Sequence, residues 1–358
     1  MSISLLKIYF GDLNMNKSFL FLIAIVITFA ICTDSVYAGG GKRNGTSGAN
    51  ELLIPVGARG LAMNGADVSG ITGSEALYYN PAGLVGGTES AEVMFSQMSY
   101  IADISVSYAA VATKFGDLGA LGFSIKSINF GDIPITTVAN NNGAGTSFSP
   151  RYVTIGLSYS NNLTDHIRVG TSMKVITEKI MSTGATGFAL DAGVQYSSFA
   201  GVEGLHLGVV LKNLGPQMKF DGADMLRYAT ESSGLRGTQR YKVDAGDFAL
   251  PSLLEIGMAY ETYFTSDFKG LISTTYQDNN YANDEYKIGG ELAYMNMFYI
   301  RGGYSYVPQA LNDDDNIYGA TYGAGVNLDT GLKITVDYAY RSARLFSANH
   351  MFSVKLGF

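Results

Sequence analysis

Residues 332–341 read Leu332-Lys333-Ile334-Thr335-Val336-Asp337-Tyr338-Ala339-Tyr340-Arg341. Leu332, Ile334, Val336, Tyr338 and Tyr340 share one face of an extended chain, and Lys333, Thr335, Asp337 and Arg341 share the other, because successive strand side chains point to opposite sides. The closing segment repeats the pattern, with Phe352, Val354, Leu356 and Phe358 against Ser353, Lys355 and Gly357. Residues 166–178 repeat it again, with Ile167, Val169, Met173 and Val175 opposite Arg168, Ser172, Lys174 and Glu178.

Working outward, the alternation starts near residue 92 and yields fourteen segments: 92–99, 104–115, 118–130, 151–160, 166–179, 187–198, 205–214, 252–262, 268–277, 286–295, 297–307, 317–328, 332–342 and 349–358. Segment 118–130 shifts phase near Ser127. A strand of about 11 residues at ~3.3 Å each, tilted ~40°, rises about 28 Å, which matches the ~25 Å apolar band of an outer-membrane barrel. The connections alternate as well. Every long one (131–150, 215–251, 278–285, 308–316) falls on one side of the count. The other side has turns such as 116–117, 161–165, 199–204, 263–267, the junction near Asn296, and 329–331. Short turns on one mouth and long loops on the other mark an even-stranded bacterial barrel, and place both chain ends on the periplasmic side. A soluble β-sandwich also alternates, since periodicity does not say which face is wet. The export signal, the loop asymmetry and the density of Tyr and Phe favour the barrel. The fold class is all-β: a 14-stranded antiparallel transmembrane barrel with an N-terminal plug.

Composition agrees. Of 358 residues, 44 are Gly, 24 Tyr and 19 Phe, and charged residues make up only 15%, against roughly 25% in ordinary soluble domains. A net charge of −7 argues against nucleic acid as a partner. Cys32 is the single cysteine, so no disulfide framework or multi-cysteine metal site is expected. Lys17 precedes an apolar run over 18–31, too short to span a bilayer but suited to a signal peptide, with Val36-Tyr37-Ala38 as the cleavage site. Residues 1–38 therefore read as a signal whose natural start is Met15, 39–91 as plug and 92–358 as barrel, exported to the outer membrane of a Gram-negative cell.

Residues 50–91 have no period of two. The stretch 57–65 suits a bend or short helix, Ser74-Glu75-Ala76-Leu77-Tyr78-Tyr79 is helix-compatible, and Pro81 ends it by pushing Asn80 from the α region. Fourteen strands enclose a lumen too wide for wall side chains to fill, so this segment reads as an inserted plug. Two blocks, 56–66 (VGARGLAMNGA) and 75–84 (EALYYNPAGL), resemble the N-terminal signature of the PorV/PorQ group, itself similar to FadL-like fourteen-strand barrels. In those proteins an Asn-Pro-Ala motif lies in the plug, and Asn80-Pro81-Ala82 matches it. The resemblance implies a plug motif of Gly57, Arg59, Gly60, Gly65, Asn80, Pro81, Ala82 and Gly83. It also implies an assembly signal in Phe352, Val354, Leu356 and terminal Phe358.

Catalytic chemistry is not expected. Glycines 57, 60 and 65 lack the Gly-Lys-Ser/Thr of a phosphate loop. His350 and Ser353 fall on opposite strand faces, and no Ser lies two residues from His206, so no Ser–His nucleophile forms locally. Neither a cofactor nor a metal is predicted, although Asp313-Asp314-Asp315-Asn316 could hold calcium if it were not a solvated loop tip. The inward face carries Arg168, Lys174, Glu178, Asp191, Lys212, Glu255, Glu291, Arg301, Lys333, Asp337, Arg341 and Lys355, which predicts a salt-bridged or hydrated lumen.

Outer-membrane lipid is the expected surrounding partner. The PorV resemblance implies an accessory or shuttle of type IX secretion that binds exported proteins through C-terminal sorting domains. A FadL-like transporter of hydrophobic small molecules is the alternative, and a structural barrel or adhesin a third. The basic stretch 227–240 in the longest loop could meet an acidic partner or lipopolysaccharide phosphates.

Overall fold

The computed structural model describes residues 43, 45–143, 145–230, 232, 237–308, 317–329 and 331–358. The signal segment with Cys32 and the acidic run 313–316 lie outside the described residues.

Fourteen strands form the wall: β1 (Ala91–Ser99), β2 (Ser105–Lys114), β3 (Ala120–Asn129), β4 (Arg151–Asn162), β5 (Ile167–Ile180), β6 (Thr183–Ser197), β7 (Leu205–Leu214), β8 (Leu253–Tyr263), β9 (Phe268–Asn279), β10 (Glu285–Tyr294), β11 (Phe298–Tyr306), β12 (Tyr318–Asp329), β13 (Lys333–Ala343) and β14 (Asn349–Gly357). Each pairs antiparallel with its chain neighbours, and β1 pairs with β14 from Glu92↔Gly357 to Ser99↔His350, so the sheet closes. Closure leaves no edge strand, the condition for crossing lipid with β-structure. Most boundaries fall within two residues of those read from alternation. The exception is β6, which starts at Thr183 instead of residue 187; its first residues extend past the pairing with β7, and Asp221–Gly222 of the loop 215–252 pairs with Thr183–Gly184.

Alternation separates two solvents. Val93, Phe95, Val111, Phe123, Leu157, Ile256, Ile300 and Phe352 are exposed on the outside, where lipid solvates them. Met94, Ser96, Met98, Ser158, Ser172 and Ser273 are buried on the lumen side. The phase shift expected near Ser127 does not occur: β3 pairs without interruption with both neighbours. The apolar residues change face there because Leu121, Phe123 and Ile125 meet lipid, while Ile128 joins an interior cluster with Leu61, Met98 and Met351.

The lumen is filled by the segment before β1. It begins at the long-loop mouth, where Ser47 bridges Ala249 and Gly48 N donates to Ala249 O at 3.0 Å. A 3-10 turn, Asn50–Leu53, then packs Leu52 and Ala49 against Ile176, Ala185, Met218 and Leu250. Only after winding through the barrel does the chain reach the short-turn mouth, where Ser90 N and Ala91 N donate to Phe358 O. The expectation of two periplasmic chain ends therefore holds for the barrel but not for the described N-terminal segment, which reaches the outer mouth. Strand parity fixes where β1 starts; it says nothing about where a non-periodic segment ahead of β1 runs.

Inside, the plug makes a circuit of the wall. Helix α1 (Ala58–Ala62) lies against β11–β14, and Thr321 Oγ1 of β12 donates to Ala62 O at 2.7 Å. Thr275 of β9 donates to Ala66 O at 2.7 Å, and Gln195 of β6 donates to Ile71 O at 2.9 Å. Helix α2 (Ala76–Tyr79) and the 3-10 turn Pro81–Gly86 complete the circuit across β3 to β6. Leu61, Met63, Ile71 and Leu84 are all less than 3% exposed, each contributing roughly 1.5–3 kcal/mol by burial.

Candidate functional site

The plug rests in sockets made by lumen-facing glycines. A Cβ built on Gly208 of β7 would lie 2.6 Å from Ser69 Cα, and one on Gly303 of β11 2.6 Å from the Met63 carbonyl carbon. Gly170 of β5 has the Pro81 main chain in the same relation, and Gly193 of β6 has Asn80 Oδ1. These neighbours are mostly backbone and cannot swing aside. At Gly170, Gly208 and Gly303 the glycine is thus required by two main chains in direct contact.

The motif Asn80-Pro81-Ala82 has a definite task in this seat. Asn80 is fully buried; its Nδ2 donates to Val68 O at 2.9 Å and to Val194 O of β6 at 3.2 Å, and its Oδ1 accepts from Ala82 N at 3.2 Å. One side chain joins two plug segments to the wall and caps the following 3-10 turn. Pro81 suits the first position of that turn, where an N–H would be unused. Ala82 O accepts from Ser160 Oγ of β4 at 2.9 Å, and a Cβ on Gly83 would meet Ile71 O. Gly57 and Gly65 have φ of 76° and 70°, which favours glycine, and Gly60 lies against the Tyr79 ring.

Arg59 starts a chain of charge. It donates to Asp67 at 2.9 Å and to Glu291 of β10 at 3.0 Å; Arg301 of β11 meets the same Glu291 at 2.5 Å and Asp337 of β13 at 2.6 Å. Burial raises the Asp67 carboxyl above its usual range, against the pull of the Arg59 guanidinium. Close by, Lys355 of β14 meets Glu75 at 3.4 Å. Across the lumen, Lys174 pairs with Asp191 at 2.5 Å, and Glu255 accepts from Lys212 at 3.1 Å and Lys287 at 3.3 Å. The Tyr78 ring sits between two ammonium groups, Lys126 at 4.9 Å and Lys212 at 4.7 Å, each an attractive cation–π contact.

Of the twelve inward charges read from alternation, Lys174, Glu178, Asp191, Lys212, Glu255, Arg301, Asp337 and Arg341 are buried, and Arg168, Glu291, Lys333 and Lys355 are half-buried. Lys333 lies at the periplasmic rim, 3.2 Å from Glu89. Sequence reasoning missed Lys126, Lys287, Glu51 and Glu75. Lys126 was hidden by the apparent phase shift, and the two glutamates belong to a segment without period. Of the proposed assembly residues, Phe352, Val354 and Phe358 are exposed and Leu356 is half-buried, while Phe358 N donates to Ala91 O at 2.9 Å across the seam.

The described part of the basic stretch in the longest loop leaves Arg227 and Arg240 exposed. It forms an exposed ribbon, Leu226–Ala229 with Gln239–Lys242, where Lys242 meets Asp221 and Lys219 meets Asp244. Among the described residues no group of three or more His, Cys, Asp or Glu could hold a metal ion.

Above α1, toward the outer mouth, the lumen turns apolar. Ile54, Tyr100, Ile104, Phe130 and Tyr152 are half-buried against Leu61, Met98, Val106 and Ile128. The Arg341 guanidinium stacks 3.6 Å over the Tyr318 ring, and the Tyr318 hydroxyl donates to that of Tyr100 at 2.7 Å.

The same architecture occurs in solved structures. The chain superposes on the Pseudomonas putida toluene transporter TodX with TM-score 0.53 and 14% identity, covering 84% of this chain and 97% of that one. The Ralstonia pickettii toluene transporter TbuX gives 0.52 and 13%, covering 85% and 98%. A FadL homologue of Pseudomonas aeruginosa gives 0.52 and 11%, covering 85% and 98%. No family model and no curated protein matches the sequence. The fold is that of the FadL-like fourteen-strand barrels, and the protein's place is the outer membrane of a Gram-negative bacterium.

Proposed function

We propose that this barrel carries hydrophobic small molecules across the outer membrane. The observation that carries the reading is the half-buried aromatic and apolar surface of Ile54, Tyr100, Ile104, Phe130 and Tyr152 above α1. It offers an apolar solute a partly desolvated resting place inside an otherwise charged lumen. The transport roles in the names of TodX and TbuX agree with it. The plug then acts as the barrier that the solute passes.

The secretion-shuttle reading draws on the resemblance of residues 56–66 and 75–84 to PorV. Their contacts in the barrel are seating contacts, which a transporter and a shuttle need alike, so the motif does not discriminate between them.

Uptake of radiolabelled toluene by a Gram-negative host without FadL-type barrels tests the proposal. Expression should raise uptake severalfold, and Phe130→Asp should return it to background with the barrel still assembled. Unchanged uptake, together with co-purification of exported proteins that share a C-terminal β-domain, would transfer the function to secretion.

A further inference from the structure

Six of the seven cations in the predicted lumen set have a partner. Lys174, Lys212, Arg301, Lys333 and Lys355 each meet a carboxylate, and Arg341 donates to Asn349 Oδ1 at 2.8 Å. Arg168 is the exception: among the described residues its guanidinium has neither a hydrogen bond nor an ion pair. It stands near the periplasmic end of β5, half-buried, with its guanidinium against the plug at Gly86.

Two further groups with unused hydrogen-bonding atoms lie on the next two strands, β6 and β7. Gln195, paired in register with Arg168, is 2% exposed, its Nε2 is used by Val68 O and Ile71 O, and its Oε1 is an acceptor without a donor, which fits a hydroxyl such as that of hydrogen phosphate or a water but not a bare anionic oxygen. His206 of β7 is half-buried on the same mouth, its ring makes no hydrogen bond among the described residues, and it feels the Arg168 charge. The nearby Glu261 carboxylate is held by Lys269 at 2.9 Å.

A partly desolvated guanidinium without a counter-ion is costly unless an anion or water satisfies it, and its planar fork matches two oxygens of a carboxylate or phosphate. We infer that Arg168, with His206 two strands along the wall, forms a binding site for a small oxyanion at the periplasmic foot of the plug. The site faces the compartment opposite the apolar surface around Phe130 and Tyr152, and its ligand is distinct from the transported solute. By bringing a counter-charge between wall and plug, the anion steadies the foot of the plug.

The test uses the full-length protein in detergent, titrated calorimetrically with inorganic phosphate and, separately, with acetate, which distinguishes phosphate from carboxylate. Saturable binding in the millimolar range is expected for at least one, weakened about tenfold or more in Arg168→Gln, as loss of a charge-assisted pair implies. Arg168→Lys should fall between. A labelling experiment on the unaltered protein does not depend on the variants folding: the anion that binds should slow phenylglyoxal modification of Arg168, read by peptide mass spectrometry. Absence of saturable binding, equal binding in Arg168→Gln, or labelling of Arg168 unaffected by either anion overturns the inference.

Discussion

At the scale of single residues, the plug is held by contacts that tolerate little change. Asn80 makes three side-chain hydrogen bonds from a fully buried position, and each such bond contributes about 1 kcal/mol net, with a further penalty for any partner left unsatisfied. Asn80→Ala should destabilise the folded protein by about 2–4 kcal/mol, seen as a lower temperature for the heat-induced shift in gel mobility. Gly170→Val should be at least as damaging, because its side chain meets the Pro81 main chain. Arg59→Met leaves Asp67 and Glu291 short of a cation in a buried setting, and a loss of about 3–5 kcal/mol is expected. If Arg59→Met melts like the unaltered protein, the network does not hold the plug.

At the scale of elements, the N-terminal strap, residues 47–54, is the piece whose stability is expected to vary with pH. Glu51 is 5% exposed at the outer mouth, and Lys126 Nζ donates to its main-chain oxygen at 2.7 Å. Burial raises its carboxyl above the ordinary 4.5, with Lys126 opposing. The seated strap therefore binds its proton more tightly than the free strap does. Its stabilisation is complete below the ordinary carboxylate value and declines as pH rises from 4.5 through the raised value. Protease nicking near residues 47–54 should increase with pH, and Glu51→Gln should flatten the dependence. An epitope inserted after Gly45 should be reached by antibody on intact cells, since Ser47 and Gly48 bond to the outer loop. Labelling only after permeabilisation would place the strap on the other side.

At the scale of the whole molecule, barrel and plug are separable in principle but packed as one. Removing residues 50–88 should leave a wide pore with markedly higher single-channel conductance in planar bilayers, because wall side chains alone cannot fill a fourteen-strand lumen. The deletion also strands Glu291, Lys126 and Lys355 without their plug partners, so lower thermal stability should accompany it. Unaltered conductance would mean that the loops, not the plug, close the barrel.

Legibility followed the range of the interaction. The fourteen strands and their two faces were readable because lipid on one side and plug on the other sort side chains every second residue, a local rule that Phe352, Ser353 and Val354 obey in three consecutive positions. Loop parity carried the same information to the two mouths. The non-periodic segment was readable as a plug by its motif and by the volume left to fill, but not in its path: Arg59 meets Glu291 across 232 residues, and Ala58 N donates to Ser353 Oγ across 295. Strand count, lipid face and lumen charge were thus determined by the sequence alone. The tertiary structure alone decided where the strap emerges, which glycines seat which turns, and that Arg168 has no side-chain partner among the described residues. Those depend on which distant backbones come into contact, and a closed barrel settles that only once all fourteen strands are in register.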